Sequence, residues 1–196
     1  MIAGILLAAG SSSRFGSNKL LHLLPDGTPI AISAARKLKA ATSMTLAVVH
    51  PDNLALVDMF AAEGLTVVAC PSATQGMGAS LACGVRASSN AHGWIVALAD
   101  MPFIQPATLV EIRCQLEQGA PLAAPVYQGQ RGHPVGFGCE FFEALAHLSG
   151  DQGARAIVRA HAARATLLAC EDPGILADID TTDDMARYRN LLVSQE

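Results

Sequence analysis

Short runs of apolar and β-branched residues alternate with longer helical patterns along most of this chain, and that alternation leaves few folds open. Runs at Ile2 to Leu7, Thr45 to Val49, Leu65 to Ala69, Trp94 to Leu98 and Leu122 to Tyr127 read as strands. Thr28-Pro29 reads as an N-cap followed by proline at the first helical position, opening a helix that runs to about Ala40. Arg36, Lys37 and Lys39 near its end favour a helix C-terminus. Further helices are predicted at about 52–63, 77–88, 106–118, 140–148, 152–163 and 183–192. The fold class is therefore α/β, with a mostly parallel sheet covered on both faces and ligands at the carboxyl ends of the strands. A turn at Gln128-Gly129-Gln130 breaks the pattern, and a hairpin-like return into Pro134 to Gly138 would add an antiparallel element.

The chain has 196 residues, enough for one domain with a proper core, and shows no internal repeat, linker or low-complexity tract. No apolar run approaches the roughly 20 residues that span a bilayer. The N-terminus lacks the basic region of a secretory signal, so a soluble, cytoplasmic protein is expected. A net charge of -4 without a basic tract argues against a nucleic-acid polymer as partner. Five cysteines form no CxxC pair, so buried reduced thiols are expected rather than a disulfide framework or a zinc site.

Chemistry concentrates in a few loops. The segment Leu6 to Lys19, LLAAGSSSRFGSNK, joins a buried-strand pattern to a loop of small residues with two cations. Gly10 and Gly16 would free the backbone, exposed amides would face an anion, Arg14 would grip two phosphate oxygens, and Lys19 would act as a point charge. The spacing matches neither GxxxxGK[ST] nor GxGxxG. Asp100, in Leu98-Ala99-Asp100-Met101-Pro102, lies just past a central-strand pattern, where a hard carboxylate suits Mg²⁺ beside phosphate; a turn or capping aspartate is the equal alternative. Gln75 to Leu81, QGMGASL, opens a helix with Gly76, Gly78 and Ser80, fit either for a nucleotide at its N-terminus or for close helix–sheet packing. Gln130 to Pro134 sets Arg131 and His133 in a turn, and Gly150 to Arg155 leads into a helix that Asp151 could cap. Asp178 to Asp184, DIDTTDD, alternates like a strand end and then caps the last helix.

In order along the chain, LAAGSSSRFGSNK, QGMGASL, LADMP, GQRGHPV, GDQGAR and DIDTTDD resemble the motifs of the MobA-like nucleotidyltransferases, and within them the molybdenum cofactor cytidylyltransferases. The resemblance runs from Ile5 to about Tyr188. It implies a three-layer, Rossmann-like nucleotidyltransferase fold in a single domain. Residues of about 1–105 would bind the nucleotide and those of about 106–196 the acceptor. By that similarity Leu7, Ala8, Ala9, Gly10, Arg14 and Lys19 bind the nucleotide, with Gly76, Gly78 and Ser80 near base and ribose. Arg14, Lys19 and Asp100 carry catalysis, Asp100 and Asp180 hold Mg²⁺, and His133, Asp151 and Arg155 line the acceptor side. Thr182 stands where relatives of the DIDTPED type have proline.

The reaction so implied moves CMP from CTP to the terminal phosphate of molybdopterin and releases pyrophosphate. Guanylyltransferase relatives carry LAGG, and the extra methyl of Ala9 favours the smaller base by about 1–3 kcal/mol. A molybdoenzyme or its chaperone would receive the product. Three alternatives stay open: a guanylyltransferase of the same fold, a Rossmann-like oxidoreductase, and a protein that only delivers cofactor.

Overall fold

The computed structural model describes residues 1–10, 18–151 and 153–187. Arg14 and Gly16, the serines from Ser11 to Ser13, Gln152 and the last part of the 183–192 helix expectation lie outside the described residues. Four parallel strands form one side of the sheet: β1 (Ala3–Leu7), β2 (Met44–Val49), β3 (Thr66–Ala69) and β4 (Gly93–Leu98), in the order β3-β2-β1-β4. Helices α1 (Ile30–Ala41), α2 (Leu54–Ala62) and α3 (Met77–Ala87) make the crossovers, and α4 (Pro106–Glu117) leads out of β4.

The other side is mixed. Strands β5 (Leu122–Tyr127) and β6 (Gln130–Arg131) form a hairpin whose turn residues Gln128 and Gly129 both have positive φ, and β7 (Val135–Gly138) continues the return. β7 lies antiparallel between β4 and β5. After the short helices α5 (Phe142–Ala146) and α6 (Arg155–Ala160), β8 (Ala165–Ala169) adds in parallel to the far edge of β5, and α7 (Thr182–Arg187) follows. The mostly parallel sheet with an antiparallel element is as expected; β8, which the apolar pattern did not mark, is an addition. Its alanine-leucine run is only half-buried, so it lacks the pattern of an interior strand.

Alternation along the strands builds three layers. Ile2 and Leu6 of the first strand region, with Ala47, Val49, Ile95 and Ala97, face α1, α2 and α4. Ala3 and Ile5, with Leu46, Val48, Trp94 and Val96, face α3 and α5. Trp94 is fully buried, and its indole N–H donates to Ser88 Oγ at 3.0 Å.

Two local expectations change. α1 starts at Ile30, so Pro29 rather than Thr28 occupies the capping position; Thr28 instead closes a tight turn in which its N–H donates to Asp26 Oδ1 at 2.8 Å. The cysteines are not all reduced: Cys70 and Cys83 form a disulfide, leaving Cys114, Cys139 and Cys170 as thiols. A strand end and a helix face brought those two sulfurs together, which no short-range CxxC spacing would reveal.

Candidate active site

The carboxyl ends of β1 and β4 open toward one region, as parallel β-α-β topology requires. Asp100 sits in the turn after β4, and Lys19 begins a single 3₁₀ turn, Lys19–Leu21, whose start Asn18 caps by accepting from Leu20 N–H. The Lys19 ammonium donates to Asp100 Oδ2 at 2.8 Å and to Asp180 Oδ1 at 2.7 Å, residues 81 and 161 positions away in sequence. Burial opposes the charge on Lys19, but the hydrogen bonds and charges of Asp100 and Asp180 outweigh it and raise its pKa above the ordinary lysine value.

Asp180 reaches this place along a strap rather than a strand. The segment after β8 makes a 3₁₀ turn, Pro173–Leu176, capped by Asp172, becomes extended at Ala177, and donates Ile179 N–H to Asp100 O at 2.9 Å. Asp184 then accepts from the backbone N–H groups of Asp180 and Thr181 at 3.0 and 2.8 Å, and Thr181 Oγ1 accepts from Asp184 N–H, a reciprocal cap at the start of α7. Capping therefore accounts for Asp184, whereas Asp180 is turned to the lysine.

The strap itself is anchored by Asp172, which the sequence reading passed over. Its carboxylate is 2 % exposed and accepts from Gln105 N–H at 2.8 Å, Thr108 Oγ1 at 2.6 Å and Gly174 N–H at 3.0 Å. It thereby fastens the strap to the start of α4. Lys37 braces the loop between β4 and α4 from α1, donating to Pro102 O at 2.7 Å, and burial lowers its pKa to about 8.

A cavity of about 790 Å³ lies beside this cluster. Leu7, Leu81, Val96, Phe137 and Val158 give it an apolar floor, while Arg131, His133, Asp151, Arg155, Arg159 and Asp178 supply its polar wall. Three steps along β5, from Ala123 to Val126, are matched by five on the return strand, from Arg131 to Gly136. The surplus residues bulge out at Gly132-His133-Pro134, which is how bulges re-aim side chains beside functional sites. Gly132 is held so close to the strap that an added Cβ would lie 2.3 Å from Ile175 O. His133 Nδ1 is buried without a hydrogen-bond partner among the described residues. Burial pushes the His133 pKa below its ordinary value, with the charge of Asp100 opposing, so the imidazole is neutral near pH 7. Arg155 and Arg159 share one side of α6 by their spacing of four, the signal that could have found Arg159.

The remaining expected residues take varied places. Ala8 is buried, with its N–H donating to Val48 O, and Ala9 packs half-buried on the α3 side of the sheet. Gly10 is exposed, has no positive φ, and meets no atom of the described residues where a Cβ would stand. Gly76, at φ 123°, and Gly78 press against the Ser149–Asp151 loop; a Cβ on Gly76 would collide with Asp151 Oδ1, and Gly78 N–H donates to Gly150 O at 2.8 Å. Ser80 is buried, with its hydroxyl 3.4 Å from Gly76 O in its own helix. QGMGASL thus joins the start of α3 to the Asp151 loop, a contact with a loop rather than with the sheet.

The donor set fits a divalent cation. Two hard carboxylates, Asp100 and Asp180, already bracket one cation, the Lys19 ammonium, and Asp100 Oδ1 is buried without a hydrogen-bond partner among the described residues. Mg²⁺ ordinarily takes one or two carboxylates and completes its octahedron with phosphate and water.

Residues 4–165 match the model of the MobA-like NTP transferase domain. The chain belongs to that family. The resemblance carried by the six motifs is borne out at this level, as is the nucleotidyltransferase fold. Among its relatives, the purine catabolism protein PucB of Bacillus subtilis is 30 % identical, over 97 % of each chain. The nicotine blue oxidoreductase of Paenarthrobacter nicotinovorans is 27 % identical, over 95 % of each. The crystal structure of Rv0371c of Mycobacterium tuberculosis in complex with manganese superposes with a TM-score of 0.76 at 28 % identity, covering 98 % of each chain. No helix among the described residues is long and apolar enough to cross a membrane.

Proposed function

We propose that this chain transfers CMP from CTP to the terminal phosphate of a molybdopterin-type acceptor, with release of pyrophosphate. The observation that carries the reading is Lys19 held between Asp100 and Asp180 at the strand ends, beside a cavity walled by arginines. Residues of about 1–105 take the nucleotide and those of about 106–196 the acceptor. Leu7, Ala8, Ala9 and Gly10 pass beneath the nucleotide, and Lys19 with Arg14 holds its phosphates.

Asp100 and Asp180 would hold Mg²⁺, which supplies charge neutralisation on phosphate oxygens; the manganese found with Rv0371c supports a divalent ion in this fold. Lys19 then moves from the carboxylates to the phosphates, a small displacement for a flexible side chain. Arg131, Arg155 and Arg159 draw in the anionic acceptor, and neutral His133 offers a hydrogen bond without adding charge. The acceptor phosphate is already an anion, so no general base is needed. One of its oxygens bonds to the α-phosphorus as the α–β bridging bond breaks and pyrophosphate leaves in line. Ala9 supports CTP over GTP through the space its methyl takes. The setting is the cytoplasm, and a molybdoenzyme or its chaperone receives the product.

Pyrophosphate release measured with each NTP, Mg²⁺ and molybdenum cofactor tests the proposal. CTP should be the preferred donor; faster release with GTP would move the assignment to a guanylyltransferase, and none with any NTP would overturn transfer altogether. A second reading, oxidoreduction, rests on the likeness to nicotine blue oxidoreductase. NADPH consumption with a dye acceptor would favour it, although the chain has no GxGxxG turn.

A further inference from the structure

Cys70 and Cys83 are separated by 13 residues, yet their Cα atoms lie 6.1 Å apart and their sulfurs are bonded. The two sulfurs occupy different surroundings. Cys70, just past β3, is fully buried, with its Sγ 3.7 Å from Ala79 O. Cys83, midway along α3, is only half-buried, and Arg86 Nη2 donates to its Sγ at 3.6 Å. That guanidinium is fixed from the other side, where Nη1 donates to Ala146 O at 2.6 Å. The Ser72 hydroxyl lies 3.4 Å from Cys70 Sγ and 3.8 Å from Cys83 Sγ. A fixed cation beside a partly accessible sulfur favours the thiolate, whereas a fully buried sulfur is out of reach of reagents in solution. Cys83 is thus equipped to react first and Cys70 to resolve.

The bond also clasps a segment with structural consequences. It closes the chain from Cys70 through the 3₁₀ turn Pro71–Gln75 to the first two turns of α3. Within that closed segment Met77 lines the cavity, while Gly76 and Gly78 press on the Ser149–Asp151 loop.

We propose that Cys70 and Cys83 are a reversible thiol–disulfide pair, oxidised through Cys83 by a low-molecular-weight disulfide such as oxidised glutathione, that fixes the Met77 edge of the cavity. In the first step the Cys83 thiolate bonds to one sulfur of the oxidant and expels one thiolate. In the second, Cys70 gives up its proton and attacks the Cys83 sulfur, forming the internal disulfide and expelling the other thiolate. The protein loses two electrons, the oxidant gains them, and two small thiols result; a reducing dithiol reverses the change. In a reducing compartment a disulfide of this kind acts as a sensor rather than a permanent staple. The effect on the cavity rests on the acceptor reading given above; the thiol chemistry does not.

Reduced full-length protein is treated with oxidised glutathione, alkylated and peptide-mapped by mass spectrometry. Cys70 and Cys83 should become protected together and be recovered with dithiothreitol. Cys70→Ala should retain a glutathione adduct on Cys83, and Cys83→Ala should leave Cys70 unmodified. Alkylation of both residues after oxidation, or an adduct on Cys70 in the Cys83→Ala protein, would overturn the pair. If Cys70→Ala does not fold, the time course of the native protein decides: the Cys83 adduct must precede the internal bond, and its absence counts against the order proposed. Reduction should raise the acceptor KM about fivefold in the native protein. The Cys70→Ala/Cys83→Ala double variant should be indifferent to dithiothreitol. An unmoved KM with intact thiol chemistry would overturn the coupling to the cavity, while pyrophosphate release would still report separately on the transferase reading.

Discussion

The two ends of the candidate site differ in how their charges are satisfied. At the strand ends of β1 and β4, Lys19, Asp100 and Asp180 answer one another within hydrogen-bond distance. Across the cavity, Arg131, Arg155 and Arg159 have no carboxylate partner within ion-pair distance among the described residues. The first arrangement is already paired internally, one ammonium between two carboxylates, so under the proposed function a triphosphate and its cation trade places with existing bonds. The second sets three guanidiniums in one wall with Asp151 and Asp178 but paired to neither among the described residues, so an entering anion meets cations without breaking a pair. Internal pairing thus keeps one end organised before ligand arrives, while the absence of pairing makes the other end receptive.

Lys19→Ala should break the organised end most severely. We expect kcat/KM for pyrophosphate release to fall by a factor of 10²–10³, about 3 kcal/mol. Mn²⁺ affinity measured by calorimetry should hold or increase, because Asp100 and Asp180 lose a competing cation; a parallel loss of Mn²⁺ binding would make Lys19 a scaffold for the pair instead.

Next in size, Asp172→Ala strands Gln105 N–H, Thr108 Oγ1 and Gly174 N–H inside the protein. Urea unfolding should show a loss of about 2 kcal/mol. Normal stability would mean that the strap carrying Asp180 is held elsewhere.

At the receptive end, Arg155→Ala or Arg159→Ala should each raise the acceptor KM about tenfold, or roughly 1.4 kcal/mol. The KM for nucleotide should not move, and a shift there would collapse the distinction between the two ends.

The smallest effect belongs to a pair remote from both. Arg36 grips Glu63 at 2.6 and 2.9 Å, and that hydrogen bonding holds the Glu63 pKa below its ordinary value. The stabilisation is therefore present above the unfolded carboxylate pKa and is lost as pH falls through the folded one. Arg36→Ala should cost no more than about 0.5 kcal/mol at pH 7 and nothing in acid, by thermal unfolding at the two pH values. It should leave transfer activity untouched.

Legibility in the sequence follows the same division. β1 to β4 and their helices could be read directly, because each strand is a continuous apolar run and each helix carries its own periodicity. The place of Asp100 could be read for the same reason, since it follows the end of such a strand, while its contact with Lys19 could not. β8 escaped because an edge strand of alanine and leucine, half-buried, resembles a loop or a helix end. Asp172 escaped because two of its three partners lie more than 60 residues away, and Arg159 because a helical cation is ordinarily solvated. Gly10 differs from Gly76 in the other glycine motif, since it has no positive φ.

The sequence by itself determined the family resemblance, the layered α/β class and most of the residues proposed for the site, because strand periodicity and ordered motifs are local signals. Only the tertiary structure decided which of them meet. Lys19 finds both aspartates, the bulge at Gly132 to Pro134 turns His133 toward the cavity, and Cys70 closes on Cys83 because sheet register, strap and helix packing join residues that no spacing along the chain relates.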